Sequence, residues 1–461
     1  MREHAPSVLV ATLSAAFGVS LLQVTGALAT MISSARGMSG SGMVALMLAL
    51  VGGVFIVIAV YVGAIVTANT FATIIAGRTR TIALLRLIGA TASSQRRAVA
   101  REGLLVGLAG SALGLLVGTA VTFGLISAAV AADFVPDLAY EYLPPVIALP
   151  LVAVVLTTWL ASWIGSRRVL DVSPIQATGG AQEVRHEVAA GRRGRNATAI
   201  ALIAIGLGLL ALGIAAGFAT PLGVLPGLVG GILSFTGLVL GAQFFMPPAL
   251  RLVGKALGRG AAARLAAENA MRYPERSSRT MIGLVIGVTL VTTFAVAAGS
   301  YQEILTQARL AEPEVYAGTE QLVSVTVGIF SALLGFSALI AAVGMVNNLS
   351  LSVLQRTREL GLLRALGFTN RQLRVMVVAE SAQLTIAAVL VGLALGTFYG
   401  WAGAQSLLGS MYGGPGLVVP VLPLWLIGAV AAAAAVLTLV ASITPTRRAT
   451  RISPVVALAV D

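Results

Sequence analysis

The chain has 461 residues, 57% hydrophobic and 10% charged, with a mean hydropathy of +0.95. A soluble globular domain carries about 25% charged residues, so a water-soluble enzyme of this length is excluded. Cysteine is absent, and His4 and His186 both sit in polar stretches. Disulfide frameworks, thiol nucleophiles and a histidine-based metal or triad site inside the apolar segments are therefore excluded as well.

About 20 apolar residues span a bilayer. Runs of that length fall at about 7–32, 42–73, 102–130, 145–165, 198–217, 224–247, 281–299, 322–350, 380–407 and 421–443. They predict an all-α integral membrane protein of about ten transmembrane helices. The first run follows Arg2 and contains Ala27-Leu28-Ala29, which resembles a signal-peptide cleavage site. The second half of the chain also opens on a spanning run, so the first is expected to be retained as a helix.

An even number of spans puts both termini on one side. The N-terminus and the segments 74–101, 167–197, 248–280, 351–379 and 444–461 then lie together and hold 28 of the 30 Lys and Arg; Arg36 and Arg309 face the other way. The positive-inside rule makes the basic side cytoplasmic. The expected location is the bacterial plasma membrane, multi-pass, with both termini inside; an Arg to Lys ratio of 29:1 and abundant alanine fit a GC-rich bacterial genome. The net charge of +13 is thus mostly topology, and no soluble basic domain exists to bind nucleic acid. The outward connections are short, the longest being about 300–321. They carry Asp133, Asp137, Glu141, Glu303, Glu312, Glu314 and Glu320, which make that side acidic.

An internal repeat organises the chain. A shift of 278 residues aligns 69–102 with 347–380 without a gap, and twelve of the 34 positions are identical. The pattern R-R-x4-S-P-x2-A also recurs, from Arg167 to Ala177 and from Arg447 to Ala457. The expected domains are a first four-helix repeat at 1–178, a basic linker at 179–197 and two extra helices at 198–247. A basic amphipathic segment at 248–280 and a second four-helix repeat at 281–461 complete the plan. Both repeats start from the same side, so they are parallel copies.

The most similar stretch is a loop on the basic side, not a membrane span. At 100° per residue, Leu362, Leu363 and Leu366 share one helical face, opposite Thr357, Leu360 and Arg364. In the first copy the sets are Leu84, Leu85 and Ile88 against Thr79, Ile82 and Arg86. Gly89 and Gly367 suit a helix C′ position; Thr91 and Thr369 suit the N-cap of the next helix. Each loop therefore reads as a short surface helix clamped at its end. Arg80 and Arg358 flank the apolar face and can reach lipid phosphates or a partner. Glu102 and Glu380 are expected in the first turns of the third and ninth helices, where an acid meets the helix dipole favourably. Asn69 and Asn347 are repeat-equivalent and are expected to hold helices two and eight to their loops. Glycines 107, 110, 114 and 118, with 392 and 396, read as helix-packing seams.

The R-T-R-[TE]-[IL]-x-L-L-R-x-[IL]-G-x-T loop, the glutamate that follows it and the S-P-x-x-A tail resemble the FtsX-like (MacB-type) ABC transporter permeases. The arrangement of four, two and four helices is similar to the BceB-like permeases, but the large extracellular domain of that group has no counterpart here. The resemblance implies that loops 76–91 and 354–369 are coupling helices docking on two copies of a separate ABC ATPase. Arg80, Ile82, Arg86, Arg358, Leu360 and Arg364 would bear on that ATPase, with Asn69, Gly89, Glu102, Asn347, Gly367 and Glu380 supporting the loops. ATP and magnesium would be bound by the partner, and no cofactor or metal is expected in this chain.

No catalytic residue is assigned. A P-loop needs Gly-Lys-Ser/Thr, and the single lysine, Lys255, is followed by Ala256. Ion-coupled carriers place ionisable groups deep in the membrane, and the spanning cores here carry essentially none. The expected function is the permease subunit of an exporter of amphipathic substrates: a peptide, a lipid or a hydrophobic drug. Membrane lipids are the other expected contact. The alternative is a non-transporting transducer that relays ATPase motion to a membrane sensor kinase or an extracellular hydrolase.

Overall fold

The computed structural model describes residues 5–34, 84–85, 88–133, 135–166, 193–256, 274–311, 313, 369–410 and 416–451, with further residues scattered between 50 and 68. All regular structure among the described residues is helical. The α-helices with described bounds are α1 (Ala5–Ser34), α2 (Ala92–Ala131), α3 (Ala148–Gly165), α4 (Arg193–Gly217), α5 (Val224–Leu240), α6 (Ala242–Ala256), α7 (Pro274–Ala311), α8 (Asn370–Leu408) and α9 (Leu424–Arg451). A membrane core supplies no water to unpaired backbone groups, and a helix satisfies them within the segment.

Seven of these helices, α1 to α5, α7 and α8, are long and apolar enough to cross a bilayer, and α9 carries a shorter apolar run at Leu424–Val436. Eight of the ten predicted spans therefore coincide with helices. The run 322–350 lies outside the described residues, as does most of 42–73. Three helices overrun their predicted spans by more than ten residues each. Helix α2 has 40 residues, α7 has 38 and α8 has 39, or about 57–60 Å each against a hydrocarbon core of about 30 Å. Hydropathy marks where the membrane begins; capping and local propensity decide where the helix does. The expected outward connection after 299 is accordingly helical as far as Ala311, with Ile304, Leu305 and Ala308 buried and Gln307 Nε2 donating to Glu303 Oε1 at 2.8 Å.

The predicted run 224–247 is divided. Helix α5 ends at Leu240, the chain turns at Gly241, and α6 starts at Ala242 and contains Pro247 and Pro248. Part of the predicted amphipathic segment 248–280 thus belongs to a helix packed on α7 and α8.

The described helices fall into two compact units, one within Met1–Gly179 and one within Gly180–Ala317 and Gly344–Asp461. In the first unit α2 is the central helix. A Cβ at Gly110 would stand 2.4 Å from Ala11 Cβ, one at Gly114 2.4 Å from Ala15 Cβ, and one at Gly118 2.8 Å from the Ala16 carbonyl oxygen. These contacts advance in the same sense along both helices, so α1 and α2 are parallel. On the same face, nearer its start, α2 meets α3 antiparallel: Gly103 abuts Ser162, Gly107 abuts Val155 and Thr158, and Ser111 Oγ donates to the Leu151 carbonyl at 3.2 Å.

The second unit repeats this scheme. Gly392 abuts Val288, Gly396 abuts Thr292, and Gly400 abuts Thr293 and Val296, making α7 and α8 a parallel pair. Helices α4 and α5 form a hairpin without counterpart among the described residues of the first unit. Their backbones touch at Gly213 and Gly227, at Gly206 and Ser234, and at Gly237 and Ala199. The hairpin rests on α8 through Gly217 against Gln405 and through a 2.9 Å hydrogen bond between the Ser234 and Tyr399 hydroxyls. Helix α9 joins α8 by Thr438 Oγ1 donating to Thr385 Oγ1 at 3.0 Å.

Candidate functional site

The loop copies enter α2 and α8, and their junctions carry the local chemistry of the site. Gly89 takes φ +103°, a left-handed conformation that glycine adopts without strain. The Ala90 N–H donates to the Leu85 carbonyl at 2.9 Å and the Ile88 N–H to the Leu84 carbonyl at 3.2 Å. The first of these is the bond from C″ to C3 that closes a Schellman motif with Gly89 at C′. One residue later Thr91 is the N-cap of α2, its Oγ1 accepting from the Ser94 N–H at 3.2 Å. The loop's last turn is thus separated from a 40-residue helix by Ala90 and its two flanking caps, with no flexible spacer.

At the start of α8, Thr369 closes a capping box. Its Oγ1 accepts from the Gln372 N–H at 3.3 Å, and its own N–H donates to Gln372 Oε1 at 2.9 Å. Leu84 and Ile88 of the first loop are exposed, Ile88 by 82%, leaving an apolar knob beside the junction.

Arg80, Ile82, Arg86, Arg358, Leu360, Arg364, Asn69, Asn347 and Gly367 lie outside the described residues. Glu102 and Glu380 are placed otherwise than expected. Helices α2 and α8 start at Ala92 and Asn370, so each glutamate stands about three turns in. The dipole effect is confined to the first turn and does not reach them there. Glu102 is half-buried and Glu380 is buried, 5% exposed. The expectation took the helix start from hydropathy, whereas the polar turns from 92 to 101 are already helical.

Several polar anchors escaped the sequence reading. At the start of α2, Arg96 stacks over Trp163 of α3 at 4.8 Å from the ring centroid, and its Nε donates to Ser166 Oγ at 3.4 Å. Arg96 is one of the repeat identities, so a signal existed but its partner did not. At the opposite end of the first unit, buried Gln23 of α1 donates from Nε2 to the Tyr142 carbonyl at 2.6 Å and to Thr119 Oγ1 at 2.9 Å. In the second unit Gln405 of α8 spans Gly416 and Val418: its Nε2 donates to the Gly416 carbonyl at 2.9 Å and its Oε1 accepts from the Val418 N–H at 2.7 Å. Trp401 Nε1 donates to the Val418 carbonyl at 2.8 Å, and Ser300 Oγ accepts from the Val421 N–H at 3.3 Å. In each unit the connection after the long central helix is therefore pinned by side chains of the parallel pair.

The pinned connection of the first unit contains Tyr140, whose hydroxyl donates to the Pro136 carbonyl at 2.6 Å. Burial, then the negative charge of Asp137 and the neighbouring Tyr142, raise its pKa above the ordinary tyrosine value. Among the described residues no group of three or more His, Asp or Glu is placed to hold a metal ion.

A family model described as FtsX-like permease C-terminal matches residues 53–174 and again 331–454. The two matches begin 278 residues apart, the same interval as the sequence repeat. The chain is also similar to YknZ of Bacillus subtilis (strain 168), described as an uncharacterized ABC transporter permease, with 33% identity over 105 residues. That similarity covers 23% of this chain and 25% of the relative.

Proposed function

The chain belongs to the FtsX-like permease family, and from that premise we propose that it is the membrane subunit of a bacterial ABC exporter driven by a separate ATPase. Two ATPase copies dock on loops 76–91 and 354–369, where Arg80, Ile82 and Arg86, with Arg358, Leu360 and Arg364, meet them. ATP and magnesium belong to that partner. The complex sits in the plasma membrane with both termini in the cytoplasm. The description of the Bacillus subtilis relative as an ABC transporter permease supports this assignment.

The observation that carries the reading is the capped junction from Leu84 to Ser94. Two consecutive caps join the first loop to α2, and α2 is locked to α1 by glycine contacts too close to admit a side chain. A displacement of the loop is therefore delivered to two parallel helices at once. Motion reaches the far side as a mechanical stroke, with no charged path through the membrane. The cargo is an amphipathic, membrane-partitioned compound; the acidic far-side connections favour a cationic one.

The test is ATPase activity of the permease co-purified with the ATPase encoded beside it, in lipid nanodiscs, against cationic peptides, lipids and amphipathic drugs. Stimulation by one class is expected and names the cargo. Turnover that depends on the permease but ignores every compound would favour the non-transporting transducer. Failure to bind any ATPase would overturn the proposal.

A further inference from the structure

We propose that α6 is an interfacial clasp: it lies flat across the bases of α7 and α8 and docks on the anionic headgroups of the basic-side leaflet. Its depth and direction follow from the helices beneath it. Thr292 of α7 lies beside Gly396 of α8. Counting back along these parallel helices, Ser278 and Gln383 stand at the same depth to within about one residue, roughly 1.5 Å. Ser278 Oγ donates to the Ala242 carbonyl at 3.4 Å, and Gln383 Nε2 donates to the Leu250 carbonyl at 3.0 Å. The two anchored carbonyls are eight residues, about 12 Å, apart along α6. Packed helix axes are about 8–10 Å apart, so α6 crosses the pair instead of running along it.

That depth is the start of the apolar span on α7 and lies about two turns inside the longer apolar stretch of α8, which begins at Val375. Ser278 just precedes Met281, where the apolar span of α7 begins, and α5 completes its crossing at Leu240, immediately before α6. The faces of α6 agree. Ala242, Met246, Leu250 and Val253 are buried and lie within one narrow arc of the helix. The opposite arc presents Phe244, Phe245, Pro248, Arg251 and Leu252, all exposed, Leu252 by 72%. A face made of two phenylalanines, a proline and a leucine is costly in water and suits the acyl–headgroup boundary. Arg251 on its edge can extend to phosphate while its stem stays apolar.

Charge selects the occupant. The segment 248–280 carries seven basic residues against Glu268 and Glu275, and such a segment beside a bilayer attracts anionic lipid. The inference does not depend on ATP coupling and applies to the second half of the chain alone.

The absence of cysteine allows single spin labels at Phe244→Cys, Phe245→Cys and Leu252→Cys in the full chain, reconstituted in phosphatidylcholine vesicles with and without phosphatidylglycerol. All three labels are expected to be relaxed more by oxygen than by a water-soluble nickel chelate. Spin-labelled phosphatidylglycerol is expected to bind in preference to phosphatidylcholine, with Arg251→Glu lowering that preference by about fivefold and Arg251→Lys preserving it. Stronger relaxation by nickel would place the face in water. Shielding from both reagents would mean that protein, a partner or a second copy, covers it. Either result overturns the proposal, as does an equal loss in both Arg251 variants or no lipid preference in the unsubstituted chain.

Discussion

A methyl group added at Gly396 would lie 2.4 Å from Thr292 Cβ and 2.8 Å from the Thr289 carbonyl oxygen. Neither atom can retreat, because both belong to the buried face of α7. Gly396→Leu is therefore expected to push α7 from α8 and to lower the melting temperature of the purified protein, at an overpacking cost of about 1–3 kcal/mol or more. Gly403 serves as the control on the same helix: nothing lies within 4 Å of the position a Cβ would take, so Gly403→Leu should leave the transition unchanged. The seam was legible in the sequence because glycines four residues apart share a helix face. The partner residues were not, since nothing in the order of residues says that Gly396 meets Thr292 and not another helix.

Caps decide where the long helices begin. Thr91 and Thr369 were readable as N-caps because capping is local: donor and acceptor lie within three residues. Thr369→Val is expected to remove about 1 kcal/mol of helix-end stability, seen as faster hydrogen exchange of the amides from Arg371 to Leu373 with the remainder of α8 unaffected. No such effect is expected from Thr385→Val, seated deep in the same helix. The anchors at the other ends were illegible for the opposite reason. Gln23 and the Tyr142 carbonyl it holds are 119 residues apart, and an isolated glutamine in an apolar run is equally suited to many partners. The division of 224–247 at Gly241 was hidden by the apolar Phe244, Phe245 and Met246, which extend the hydropathy of α5 into a separate helix of 15 residues.

For the chain as a whole, repetition was the most legible feature, because two copies of one loop announce themselves without any structure. Repetition also makes the proposed coupling testable by symmetry. Arg86→Glu combined with Arg364→Glu is expected to abolish co-purification of the ATPase while leaving membrane insertion intact; each single substitution should leave one loop able to engage. Retention of the ATPase by the double variant would count against the assignment of both loops. The two extra helices at 198–247 were legible as an insertion between the repeats; what the sequence did not show is that this hairpin and α6 both pack on α8. Length has a consequence of its own. Helix α8 has 39 residues, about 58 Å of continuous helix, nearly twice the hydrocarbon thickness it crosses. Such a length amplifies rotation: a tilt of about 5° about its base would displace its far tip by about 5 Å, a side-chain-sized movement from an angular change that leaves the base almost in place.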